Sequence, residues 1–235
     1  MKELINSPLF GIMISLLAFE FGCMLYNKTK IAFFNPLFIS QTLIILFLLK
    51  FHVSIEAYNK GGQLISFFLG PATVVLAVPL YKKLKLLKAN AFAILTGITV
   101  GSIFGMISII LLGKAFGING LLKLSMVPKS VTTPIGMDVS SQLGGIPAVT
   151  VAAILITGIL GAIFGPYICK IFKIKDSISI GIAMGTSSHA LGTTKALELG
   201  ETEGAMSSLS VGIAGLVTVI LAPIMVKLFT LINLF

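Results

Sequence analysis

The sequence predicts an all-α membrane protein of about six to eight hydrophobic segments, built on an inverted repeat with two broken or re-entrant helices. Three observations predict it. Hydrophobic residues make up 56% of the 235 residues and charged residues only 11%, with a mean hydropathy of +1.06. A soluble domain carries about 25% charged residues, so this chain cannot cover itself in water, and its apolar content equally excludes disorder. A second observation is a stretch that recurs sixty residues later. The third is a pair of apolar segments interrupted by Pro, Gly and ionisable residues. No alternating strand pattern occurs.

A bilayer core of about 30 Å needs about 20 apolar residues as a helix. Six segments meet that need: 4–26, interrupted only by Glu20, then 31–49, 64–81, 89–112, 146–169 and 205–226. Two more, 121–142 and 178–197, are apolar but interrupted. The expected organisation is one domain over 1–235, with N-terminal helices in 4–81. A first repeat unit follows in 89–142, a second in 146–204, and a C-terminal helix in 205–235. Met1-Lys2-Glu3 is a weak basic region with no small-residue cleavage site after the first run, so no signal peptide is expected.

All 17 basic residues are Lys, against eight acidic ones, for a net charge of +9. Nucleic-acid readers rely on Arg forks. Here the lysines lie between apolar runs, so the charge is read as membrane topology, with the bilayer as the partner and no nucleic acid. Lys82, Lys83, Lys85 and Lys88 mark a cytoplasmic loop, as do Lys28 with Lys30 and Lys170 with Lys173 and Lys175. These loops can share one face only if 121–142 crosses an even number of times, and the simplest even number is zero. That segment is therefore expected to dip in and return. Cys23 and Cys169 sit in apolar stretches and read as buried packing, not a disulfide.

Ala93 through Gly105 matches Ala153 through Gly165 at seven of thirteen positions without a gap. Downstream, Thr132-Thr133-Pro134 with Asp138 is echoed by Thr193-Thr194-Lys195 with Glu198. Each unit is thus a clean helix followed by a broken, Thr-Thr-bearing segment. Inverted repeats with discontinuous helices are a common transporter construction, in which freed backbone groups meet near the midplane and bind solute. Irregular backbone at that depth must be buried in protein or line a wet cavity.

The expected binding residues are Lys129, Ser130, Thr132, Thr133, Ser187, Ser188, His189, Thr193, Thr194 and Lys195. Lys129 and Lys195 are either counter-charges for an anion or snorkelling helix ends. The threonines either offer hydroxyls beside helix termini or bond back to helix carbonyls. Asp138 and Glu198 either pair with the lysines, carry a proton, or are plain helix-end charges. Ser187-Ser188-His189 suggests a hydrolase at first sight, but neighbours in sequence do not make a triad. His52 is far away, and no spacing suits a metal. No catalytic residue, metal or cofactor is expected, and the protein is read as a non-enzyme.

Three longer motifs carry a resemblance. They are Lys60-Gly61-Gly62-Gln63 running into Leu69-Gly70-Pro71-Ala72-Thr73, then Pro128 through Pro134, and Met184 through Met206. Together they resemble the LrgB/CidB family over nearly the whole chain. Gly136 stands where many relatives carry Ala. The resemblance implies a multi-pass protein of the bacterial cytoplasmic membrane. It also implies a small LrgA/CidA-like partner and an effect on murein hydrolase activity and autolysis. A related domain forms part of the plastidic glycolate/glycerate translocator, and bacterial members are linked to pyruvate movement. The fused LrgA-like portion of the plastid protein is not expected here.

Two functions follow as expectations. One is transport of small 2-hydroxy or 2-oxo monocarboxylates such as glycolate, lactate and pyruvate through a site at the two broken helices. The alternative is a holin- or antiholin-like pore component that regulates murein hydrolases and lysis. The residues favour the first, because internal symmetry exceeds what a simple oligomeric pore needs. The Gly-rich run from Gly97 to Gly105 suits packing within one chain or in a homo-oligomer.

Overall fold

The computed structural model describes residues 7–29, 34, 36–68, 71, 74, 81–82, 84–232 and 234. Among these the protein is helical, with no strand. Met1 to Glu3, Lys30, Lys83 and most of 69–80 lie outside the described residues, and with them part of the expected 64–81 span. The chain forms two compact units, Met1–Val75 and Leu76–Phe235.

In the first unit, α1 (Pro8–Thr29) packs against both α2 (Pro36–Lys50) and α3 (Ile55–Phe67). α1 crosses α3 where two glycines meet. A Cβ on Gly11 would lie 3.0 Å from the Gly61 Cα, so only glycine lets the backbones approach this closely. The Ser15 and Tyr58 hydroxyls, 2.8 Å apart, join the same two helices. α3 starts at Ile55, ahead of the predicted Leu64. Ser54 sets that start by accepting the Ala57 N–H at the N-cap.

The second unit holds α4 (Leu84–Ala89), α5 (Ala91–Ala115), α6 (Gly120–Met126), α7 (Thr133–Gln142), α8 (Pro147–Ile171), α9 (Ser177–Leu199) and α10 (Glu201–Leu231). α1, α5, α8 and α10 are each long and apolar enough to cross a membrane. At 1.5 Å per residue α2 reaches only about 22 Å. The breaks have local causes. Asn119 caps α6 through its side-chain oxygen, and Pro147 opens α8 at the first turn. Gly117 and Gly144 take left-handed backbone after α5 and α7, which frees the chain to turn.

Both segments read as broken are broken. The first divides into α6 and α7 around residues 127–132, with Pro128 fully buried. The second runs as α9 but leaves helical geometry at His189, with φ 43° and ψ −138°. His189 lies sixty residues after Lys129, so both breaks fall at the same place in the repeat.

The repeat is also inverted in space. Gly97 and Gly101 of α5 face Ile182 and Thr186, so α5 and the first half of α9 run the same way. Gly165, Gly161 and Gly158 of α8 face Met184, Ser188 and His189, so α8 runs the opposite way. α5 and α8, the two related helices, are therefore antiparallel. Behind them α10 packs along α9 and α5, around Ile94, Ile98, Ala205, Met206 and Ala214.

Candidate solute site

The glycines shared by the two repeat helices keep the walls of a cavity open. The cavity has a volume of about 980 Å³ and lies between α5, α8 and the first half of α9. Gly97, Gly101 and Gly105 line one wall, with Gly161 and Gly165 on another. A Cβ at Gly101 would come 3.2 Å from the Thr186 methyl, and one at Gly161 would meet the Ser188 hydroxyl. Larger residues there would fill the space.

The α5–α6–α7 connection closes the inner end. Lys129 and Ser130, from the first break, line the cavity there, opposite Ser187 and Ser188 from the second segment. Gly105 and Ser130 stand at the same level, since a Cβ at Gly105 would lie 3.9 Å from the Ser130 Oγ. Lys129 is the one cation among the described lining residues. Its ammonium donates to the Ser130 hydroxyl at 3.4 Å, and among the described residues no carboxylate pairs with it. Ser187 donates to the Ala183 carbonyl, and its oxygen lies 2.9 Å from the Ser188 oxygen. Thr186 lines the wall too, and its buried hydroxyl has no partner among the described residues. Such an arrangement, one ammonium in a partly buried pocket that several hydroxyls also line, can hold a single carboxylate.

The other end is polar in a different way. Asn90, at the start of α5, meets Cys169, at the end of α8, and Asp176 and Ser179, at the start of α9. This end adjoins the lysine-bearing stretches at 82–88 and 170–175. Asp176 caps α9, accepting from both the backbone N–H and the hydroxyl of Ser179 at 2.8 Å. Those two bonds hold its carboxyl below the usual carboxylate range.

Beyond the inner end, buried hydroxyls join three helices. The Thr150 hydroxyl donates to the Ser125 carbonyl at 2.8 Å and lies 2.7 Å from the Ser140 oxygen, while Ser125 Oγ accepts the Ile146 N–H. All three side chains are fully buried, and they tie α6, α7 and α8 together. An apolar cluster of Met106, Ile110, Val127, Val139, Ala222 and Phe229 packs on the same side of the break.

The other expected residues lie away from the lining. His189 is buried and its Nε2 is 3.0 Å from the Ile154 carbonyl, so the ring pins the α9 break to α8. Thr193 is buried and bonds the His189 carbonyl and the Ser207 hydroxyl. Thr194 bonds back to Ala190. Lys195 pairs with Glu198 at 2.6 Å. Thr132 is the N-cap of α7 with no side-chain cap bond, Thr133 follows it in the first turn, and Asp138 is exposed on α7. Sequence reasoning missed Thr157, Thr186, Asn90, Asp176 and the glycine walls as lining. The glycines at four-residue spacing were the available signal. Among the described residues no group of His, Cys, Asp and Glu could hold a metal.

The model of the LrgB-like family matches residues 15–228. The antiholin-like protein LrgB of Bacillus cereus strain B4264 is 41% identical over 218 residues, covering 92% of this chain and 95% of that protein. The protein of the same description from Bacillus anthracis strain CDC 684 / NRRL 3495 is equally similar over the same shares. No solved structure matches the chain.

Proposed function

The chain belongs to the LrgB family, and on that premise we propose that it acts in a bacterial cytoplasmic membrane as an antiholin-like protein that works through a small-anion site. The antiholin-like part of the reading is supported by the description of its relatives. The anion site is supported by one observation above the others. Lys129 lines a large cavity, beside Ser130, Ser187 and Ser188, with no carboxylate partner among the described residues.

On this reading the solute is a small monocarboxylate of the 2-hydroxy or 2-oxo kind, and the chain moves it across the membrane. The carboxylate accepts from Lys129, and the hydroxyls complete its shell in place of water. No bond in the solute is broken, so no acid–base pair is required. Control of murein hydrolases and lysis then follows from solute flux, with a small LrgA/CidA-like protein as partner.

The test is flux into proteoliposomes holding the purified chain alone. Labelled pyruvate, glycolate and lactate are offered beside a larger inert dye. Saturable acid uptake with the dye excluded is the expected result. Passage of both would favour a plain pore, and passage of neither, even with the LrgA-type partner added, would refute the solute reading.

A further inference from the structure

We propose that the cavity prefers acids with a tail: 2-oxo or 2-hydroxy monocarboxylates that carry three or more aliphatic carbons beyond the 2-position. The proposal rests on the reading of the cavity as an anion site. It concerns what that site selects.

Size is the first argument. Water occupies about 30 Å³ in the liquid. A three-carbon oxo acid has six heavy atoms and displaces only a few waters, so it fills on the order of a tenth of the 980 Å³ available. From Asn90 at one end to Gly105 at the other, the α5 wall runs about 22 Å at 1.5 Å per residue.

The distribution of chemistry along that length is the second argument. Polar groups cluster at the ends, with Lys129 and its hydroxyls at one and Asn90, Asp176 and Ser179 at the other. Between them the wall is Ile94, Leu160, Phe164, Ile168, Ile182 and glycine. A short hydrophilic acid gains nothing from that middle zone. An aliphatic tail covers it, and each buried methylene tightens binding up to about fourfold.

Charge is the third. Lys129 is the one cation among the described lining residues, and the one lining carboxylate, Asp176, stands at the far end. A second carboxylate on a short solute would instead lie against the apolar middle of the wall with no cation to pair with, which disfavours dicarboxylates.

The experiment uses the full chain in lipid nanodiscs. Binding is measured for pyruvate, 2-oxobutanoate, 2-oxopentanoate, 2-oxohexanoate and 2-oxooctanoate, and for the dicarboxylate 2-oxoglutarate. Affinity is expected to rise two- to fourfold per methylene to at least six carbons, with 2-oxoglutarate at least tenfold weaker than 2-oxopentanoate. In Phe164→Ser both the gain per methylene and the penalty on 2-oxoglutarate are expected to shrink. Affinity that is flat or falling with length, with pyruvate still bound through Lys129, would overturn the tail preference and leave the anion site standing. The same length dependence in Lys129→Gln would mean partition into lipid and would overturn the proposal. Failure of every acid to bind would sink the anion-site reading itself.

Discussion

The two broken segments come from one repeat and do different work. The first opens between α6 and α7 and delivers Lys129 into the cavity. The second breaks at one residue, and its own lysine turns away to pair with Glu198. What the second segment gives the cavity comes before its break, as Thr186, Ser187 and Ser188. The difference teaches that a repeated motif fixes where the chain breaks, not which of its side chains face the site. One copy gives the cavity a charge and a hydroxyl, and the other gives it hydroxyls alone.

The comparison can be broken most severely at the shared wall. Gly161→Leu puts a branched side chain against Ser188 at the meeting of the two segments. Loss of monocarboxylate flux by at least tenfold is expected, because overpacking costs about 1–3 kcal/mol and also fills the site. Flux at the normal rate would show that the solute passes elsewhere.

His189 sharpens the comparison from the second segment. Its ring anchors the break, and its left-handed backbone suits glycine better than any other residue. His189→Ala should lose about 1–3 kcal/mol of stability in thermal unfolding, for the lost buried bond. His189→Gly should recover about 1 kcal/mol of that by relaxing the backbone. Equal melting of the two variants would mean the strain is absent.

Thr150 probes the first segment in the same way. Thr150→Val keeps the shape but removes the hydroxyl that joins Ser125 and Ser140, at a cost of about 1–3 kcal/mol. A larger inert dye, which wild type is expected to exclude, should then begin to leak, since this cluster lies beyond the Lys129 end of the cavity. An intact barrier would place the seal elsewhere.

The smallest effect belongs to the outer end. Because Asp176 titrates below its unfolded value, its contribution is full above the ordinary carboxylate range and is lost as pH falls through its lowered value. Melting curves of wild type and Asp176→Ala should therefore differ at neutral pH, by about 0.5–2 kcal/mol for a lost N-cap, and converge at acid pH. A gap that persists unchanged at low pH would remove the cap argument.

Much of the fold was legible because membrane helices announce themselves by length and uniform apolarity. The breaks at Pro128 and around His189 were legible from residues that cannot continue a helix or pay to be buried there. The start of α3 was missed because a serine cap outweighed a hydropathy boundary. Within the site, Lys129, Ser130, Ser187 and Ser188 reach the cavity. Thr193 and His189 instead spend their polar atoms on neighbouring helices. Which face a residue takes depends on the rotation of its helix, and linear spacing does not report that rotation once apolar residues lie on every side. The Lys195–Glu198 pair is one of the readings the sequence leaves open, and its i, i+3 spacing favours it.

The central claim is that the charge in the site comes from the first break alone. Its most direct test is the affinity of purified Lys129→Gln and Lys195→Gln for one labelled monocarboxylate, measured side by side with wild type. The account predicts a loss of about ten- to a hundredfold for Lys129→Gln, as befits a hydrogen bond to a charged group. It predicts a change under about fivefold for Lys195→Gln, as befits a partly exposed ion pair. The reverse order, or equal losses in both, would contradict it.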